Sequence, residues 1–169
     1  MSLFNAVFQG PPTLANQSAG STLAPNLGID TINVVEYANV GNGWQIVPGG
    51  VTNKSVFLAQ SANNANLLTF TAPQMGIYEI IMYEVSTDTP TGATLPGLSV
   101  TYTDADTGNS TTLTSPTLTA VSTMNAVNNG DIYINSKVGT TITVANTGYA
   151  AGSGTALTYN VKVRVTYMA

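Results

Sequence analysis

Short apolar runs separated by turn residues organise most of this chain, and their period is that of β-strands. From Thr31 onward, Thr, Val, Ile and Tyr dominate the runs Asn33–Ala38, Trp44–Val47, Ser55–Gln60, Asn66–Phe70, Ile77–Ser86, Leu98–Tyr102, Ser110–Leu113, Leu118–Val121, Asp131–Ile134, Thr140–Ala145 and Leu157–Tyr167. Between them stand turn formers: Gly41-Asn42-Gly43, Pro48-Gly49-Gly50, Asn63-Asn64, Pro73, Thr89-Pro90, Pro96-Gly97, Asp106-Thr107-Gly108, Asn128-Asn129-Gly130 and the stretch from Gly148 to Gly154. No segment carries a helical period of useful length. Strands at this spacing, with no helical crossovers, predict an all-β fold: an antiparallel β-sandwich or jelly roll over residues 31–169.

The two longest runs say most. In Ile77–Ser86, Tyr78, Ile80 and Met82 share one face, and Ile77, Glu79, Ile81, Tyr83 and Val85 share the other. Both faces are largely apolar, which predicts a central strand covered on each side. In Leu157–Tyr167 the odd positions are apolar, while Thr158, Asn160, Lys162, Arg164 and Thr166 form a polar face. Residues 1–30 lack any sustained period. Pro11-Pro12, Pro25 and many small polar residues surround an apolar cluster of Leu3, Phe4, Val7 and Phe8. This segment reads as an extended N-terminal arm whose first residues either dock on a partner or fray as a terminus.

Composition then narrows the function. Charged residues make up 7% of the chain, and there is no histidine and no cysteine. Ordinary soluble domains carry roughly a quarter charged residues. The usual acid/base, metal-ligand and thiolate side chains are therefore missing. Four basic residues face eight acidic ones, for a net charge of -4, which argues against binding a phosphate backbone and hence nucleic acid. The opening MSLFNAVFQGPP has neither a basic region nor a long apolar region, so it does not read as a secretory signal. No apolar run approaches the ~20 residues of a membrane span, so no membrane insertion is expected. A surface of Thr, Asn, Ser, Ala and Gly suits a part covered by copies of itself or by a larger assembly.

Candidate chemistry is sparse. Asp104-Ala-Asp106-Thr-Gly108 looks like half a calcium loop, but position twelve counted from Asp104 is Ser115 rather than Glu. The reading that the residues favour is a hairpin turn whose Asp side chains cap backbone N–H groups, with no metal and no cofactor. Glu79 and Glu84 are five apart on one strand and point to opposite faces, so they do not form a hydrolytic carboxylate pair. Gly152-Ser153-Gly154 is not a nucleophile elbow, and no histidine exists to serve it. No catalytic residue is assigned, and the chain is not expected to be an enzyme. Two aromatics remain. Trp44, between Gly-Asn-Gly and a Pro-Gly-Gly turn, reads as an interface or core anchor ahead of a sugar-stacking platform. Tyr149, at a loop tip, fits either role.

The segment from Leu68 to Val85, with Phe70, Pro73, Gly76, Ile77 and Tyr78, resembles the tumour-necrosis-factor and complement-globular-head superfamily, as does the closing run from Tyr159 to Tyr167. A wider resemblance covers about Leu68 to Met168, through Pro96, Thr103, Asp104, Asp106, Ile134, Gly139, Thr140, Ile142, Thr147, Gly148, Tyr149, Tyr159 and Arg164. Over this span the chain is similar to small β-rich proteins of bacterial viruses that sit on the outer surface of the virion as fibre, spike or decoration modules. The N-terminal third has no such match, and Met168 and Ala169 depart from the ending associated with those proteins. The resemblance implies a homotrimeric jelly roll on a bacteriophage particle, partnered by copies of itself and by a major capsid or other virion protein reached through the arm. The alternative expectation is a host-attachment head of the same fold, binding a surface glycan or receptor.

Overall fold

In the computed structural model, residues 6–8, 26–30, 35–39, 44–46 and 51–168 are described, with side chains from Asn53 onward. The elements are β1 (Ala6–Phe8), β2 (Asn26–Asp30), β3 (Val35–Asn39), β4 (Trp44–Ile46), β5 (Val51–Gln60), β6 (Leu68–Thr71), β7 (Gly76–Ser86), β8 (Ala93–Leu95), β9 (Gly97–Thr103), β10 (Ser110–Thr114), β11 (Leu118–Val121), β12 (Val127–Ser136), β13 (Thr141–Thr147) and β14 (Tyr159–Tyr167). The described residues contain no helix.

The pairing is nested. β5 pairs with β14, β6 with β13, β7 with β12 and β9 with β10, all antiparallel. This is one long hairpin wound up so that successive strands land in opposite sheets. β14 then joins β7, and β13 joins β9. Two four-stranded sheets result, ordered β12-β7-β14-β5 and β10-β9-β13-β6. That order is a jelly roll, the all-β architecture expected from the strand spacing. A short β8–β11 ladder is attached to it.

Alternation decides what lies between the sheets. β7 contributes Tyr78, Ile80 and Met82, and β14 contributes Tyr159, Val161, Val163 and Val165. Leu98, Val100 and Tyr102 of β9, with Ile142 and Val144 of β13, come from the other sheet, and all belong to one continuous cluster. Each such side chain is worth about 1.5–3 kcal/mol of burial. The Tyr78 ring meets Tyr167 edge-on at 5.2 Å and Phe70 at 6.2 Å, while its hydroxyl donates to the Gln74 carbonyl at 2.6 Å. A buried phenol thus keeps a partner for its polar end.

Three expectations need correction. Val35–Asn39 and Trp44–Ile46 do not join the sandwich. Val35–Asn39 pairs with β2 of the arm and Trp44–Ile46 with Val35–Asn39, in a sheet ordered β1-β2-β3-β4 in which β1 runs parallel to β2. The arm's two strands lie in a segment with no sustained period, which reads from sequence as an extended arm without assigned strands. Second, Asn128-Asn129-Gly130 is not a turn but lies inside β12, opposite Glu84, Tyr83 and Met82. Gly130 is needed there because a Cβ would stand 2.6 Å from Ser115 Oγ and 2.9 Å from Leu98 Cβ. Third, the second face of β7 is not covered by any described element: Ile77 and Tyr83 remain 44% and 39% exposed.

Two predictions follow from backbone and packing. Gly130→Ala should lose about 1–3 kcal/mol through overpacking, read as a lowered urea midpoint with unchanged slope. Ala59 sits at φ 52 in β5, next to a register shift against β14. A left-handed alanine costs roughly 1–2 kcal/mol, and glycine's extra chain entropy returns only about 0.5–1 of it. Ala59→Gly should therefore raise the midpoint slightly, and a loss would show that the methyl has a packing role.

Candidate interaction surfaces

The outward face of the β12-β7-β14-β5 sheet is built in cross-strand rows. Asp131, Ile81, Arg164 and Lys54 form one, and Asn129, Tyr83, Lys162 and Val56 the next. Tyr133, Glu79 and Thr166 stand beside the first. The Tyr133 hydroxyl donates to Glu79 Oε1 at 2.7 Å, and Arg164 lies 3.7 Å from Glu79 Oε2. That hydrogen bond to the carboxylate, with its negative charge, raises the Tyr133 pKa above the ordinary phenol value. Val56, Leu58, Tyr133 and Met168 are all well exposed here. Three of the chain's four basic residues, Lys54, Lys162 and Arg164, share this face, toward its β14 and β5 side, while Asp131 marks the β12 edge. Among the described residues Lys54, Lys162 and Asp131 form no salt bridge.

The opposite outer face differs in kind. Each strand of the β10-β9-β13-β6 sheet repeats Thr-x-Thr: Thr112 and Thr114, Thr101 and Thr103, Thr141 and Thr143, Thr69 and Thr71. The register sets Thr112, Thr101, Thr143 and Thr69 in a single row, with Thr101 and Thr112 hydroxyls 2.8 Å apart. Ser99, Ser110, Ala145 and Thr147 fill the remaining outward positions, so the face holds no charged and no aromatic side chain. The repeated Thr-x-Thr was present in the sequence as the signal for this surface.

A third feature is internal. Glu84 is fully buried on the inward side of β7, sharing its parity with Tyr78, Ile80 and Met82. Its Oε1 accepts from Asn146 Nδ2 at 2.7 Å, and its Oε2 has no hydrogen-bond partner. The same Asn146 amide donates to the Tyr159 hydroxyl at 2.9 Å, which in turn donates to the Ala62 carbonyl at 2.7 Å. Asn146 Oδ1 accepts the Asn64 N–H at 2.6 Å. Burial pushes Glu84 up from 4.5 to about 8, against the opposing effect of the Asn146 hydrogen bond. Burial likewise raises Tyr159 to about 12. The sequence held a signal here too, because Glu84 and Asn146 both fall on the inward parity of their strands.

The residues singled out in the sequence are scattered. Asp104 Oδ1 accepts three bonds from its own turn: from the backbone N–H of Thr107 and of Asp106, and from the Thr107 hydroxyl. The first of these contributes most to holding its carboxyl below the ordinary range. Asp106 turns away and accepts from Asn135 Nδ2 at 3.0 Å. Among the described residues no group of three or more acidic, His or Cys side chains could hold a metal ion. Tyr149 is half-buried: its hydroxyl donates to the Leu157 carbonyl at 2.7 Å and its ring lies 5.9 Å from that of Tyr159. The structure places it as an anchor. Trp44 opens β4, opposite Asn39, and Val7 and Phe8 pair with Ile29 and Asp30 in β1. Leu3 and Phe4 lie outside the described residues.

No family model and no curated protein matches the sequence. Among solved structures, the globular domain of the zebrafish complement 1qA protein aligns over 69% of this chain and 95% of its own, with a TM-score of 0.41 and 11% identity. The structure of infectious bursal disease virus Gx strain aligns over 78% of this chain and 39% of its own, with a TM-score of 0.42 and 11% identity. The CBM22-1–GH10 modules of Clostridium thermocellum endo-1,4-β-D-xylanase 10B, complexed with xylohexaose, align over 64% of this chain and 19% of their own, at 0.33 and 15%. Likenesses of this degree say nothing of function, and the jelly roll rests on the chain's own strand pairing.

The turn at Asp104 generates a test. Asp104→Ala should lower Tm at neutral pH more than Asp106→Ala does, because only Asp104 holds three donors of the turn. Millimolar calcium should leave Tm unchanged. A calcium-dependent rise that either substitution abolishes would instead make the turn a cation site. Because the capped carboxyl titrates below its ordinary 3.8, this stabilisation is present above that pH and disappears on further acidification.

Proposed function

We propose that the chain is a non-enzymatic structural component of a bacteriophage virion, on its outer surface, that forms homotrimers through the outward face of the β12-β7-β14-β5 sheet and docks on a capsid or other virion protein through its N-terminal arm. The observation that carries the reading is the open apolar face of β7 and its neighbours. Ile77, Tyr83, Tyr133, Val56 and Leu58 expose apolar surface on one sheet face, which monomeric proteins seldom leave contiguous. The unpaired charges support a second copy as the cover. Asp131 lies at one edge and Lys54 at the other, so a head-to-tail contact sets acid against base, and such contacts form a ring when the rotation closes, here after three copies. The threonine sheet supports the structural role differently: it offers hydrogen bonds to a neighbour without the cost of desolvating charge. The resemblance over Leu68–Met168 supplies the bacterial-virus setting.

Sedimentation at micromolar concentration should give a trimer. Tyr83→Ala should weaken association by about 2 kcal/mol, as for a central aromatic anchor, and Ile81→Lys with Tyr83→Lys should yield folded monomer. A wild-type monomer would overturn the self-association. Deleting residues 1–25 removes β1 and leaves β2 on β3. The truncated trimer should fail to join particles, and normal incorporation would sink the arm's docking role. Glycan recognition, the second reading, has lost one support because Tyr149 is engaged at both ring and hydroxyl. Binding on a glycan array, abolished by Trp44→Ala, would restore it.

A further inference from the structure

We propose that Glu84, Asn146 and Tyr159 form a proton-operated latch, which holds the connection from Ser61 to Asn66 onto the sandwich while the Glu84 carboxyl is protonated and frees it when the proton leaves.

The geometry makes the connection depend on two side chains. The Asn64 N–H is held by Asn146 Oδ1, and the Ala62 carbonyl by the Tyr159 hydroxyl. The Asn146 N–H returns a bond to the Asn64 carbonyl at 3.0 Å, and Asn63 Oδ1 accepts the Tyr149 N–H at 2.8 Å. The Asn146 amide that organises this arrangement also donates to Glu84 Oε1. A protonated carboxyl accepts one such bond and stays neutral. A carboxylate in the same place holds a full charge with one donor.

Beyond the Asn146 amide, no described residue facing Glu84 carries a positive charge to offset that charge. β13 presents Asn146 and β14 presents Tyr159 and Val161, with Tyr149 beyond the Tyr159 ring. From β12 the adjacent residue is Asn128, whose amide is spent on the Pro96 and Pro116 carbonyls. Among the described residues the tyrosine hydroxyls are the only other titratable groups facing the site, and they hold their protons: burial keeps both above the ordinary phenol value, Tyr159 at about 12. Lys54, Lys162 and Arg164 lie on the far face of the same sheet, and Lys137 is exposed just beyond the other end of β12. Ionised Glu84 is therefore a buried charge without a counter-ion, a state relieved by admitting water. The cheapest route is the connection itself. Ser61, Ala62, Asn63, Ala65 and Asn66 are exposed, so lifting them gives up little apolar burial.

The sign follows from linkage. Glu84 keeps its proton in the folded protein up to about pH 8, whereas the unfolded chain releases it near 4.5. The carboxyl's contribution to stability is whole below 4.5, declines as pH rises toward 8 and is gone above it. Hydrogen exchange, corrected for intrinsic rates, reads the latch in the full-length protein. Between about pH 7 and pH 9, amides of residues 62–66 should lose ~10-fold in protection, since each unit below the midpoint near 8 shifts the proton-linked equilibrium about tenfold and the shift levels off above it. Amides of β9 should keep theirs, and Glu84→Gln should abolish the loss. An equal loss in Glu84→Gln, or none in wild type, overturns the latch. Should the variant not fold, titration of the wild-type Glu84 carboxyl carbon decides alone. A midpoint near 8 supports the latch, and one in the ordinary carboxylate range overturns it.

Discussion

The register between β7 and β14 is the constraint on which the rest of this molecule depends. It runs from Tyr159 opposite Ser86 to Tyr167 opposite Tyr78, without a break. Because side chains alternate, this register sends Tyr78, Ile80, Met82, Val161, Val163 and Val165 inward together, and Glu79, Ile81, Lys162 and Arg164 outward together. A slip of one residue would drive Lys162 and Arg164 into the core and put the valines in water. The neighbouring strands inherit the choice. β12 is aligned by β7 and β5 by β14, so both outer rows of charge and both inner rows of aliphatic side chains are set by one pair of strands.

The two outer faces then acquire different physics. On the threonine sheet every strand offers hydroxyls and methyls, which water solvates well and a neighbour can cover at little cost. On the β7 face, isoleucine, valine and tyrosine surface lies among five charges, of which, among the described residues, only Glu79 and Arg164 meet. Water solvates that mixture poorly in its apolar part, and the unpaired charges remain to orient whatever covers it. This asymmetry, rather than the low overall charge, distinguishes the two outer faces.

Much of this was legible in the sequence, for reasons that can be located. Strand spacing gave the class, and the alternation in Ile77–Ser86 and Leu157–Tyr167 gave the inward sets correctly, including opposite faces for Glu79 and Glu84. Periodicity could not say whether the second apolar face of β7 is covered within the chain, because a covered strand and an interface strand read alike. Asn128-Asn129-Gly130 carries the composition of a turn. Its place inside β12 is dictated by Ser115 and Leu98, which come from elsewhere in the chain. β3 and β4 overlap the runs Asn33–Ala38 and Trp44–Val47, whereas β1 and β2 lie in the arm, where no sustained period marks them. The arrangement around Glu84 joins residues 62 and 82 apart in sequence, which no local pattern reports.

The scarcity of charge and the burial of Glu84 are two sides of one condition. In a protein rich in lysine and arginine, a buried carboxylate acquires a cationic partner and keeps its charge. Here the four basic residues lie outside the core, and the interior around Glu84 offers amides and hydroxyls alone. Burial therefore favours the protonated carboxyl, pushing Glu84 up from 4.5 to about 8. A fold that economises on charge at its surface must tolerate protonated acid inside. In doing so it makes the buried Glu84 carboxyl sensitive to a proton that an ion pair would have rendered irrelevant.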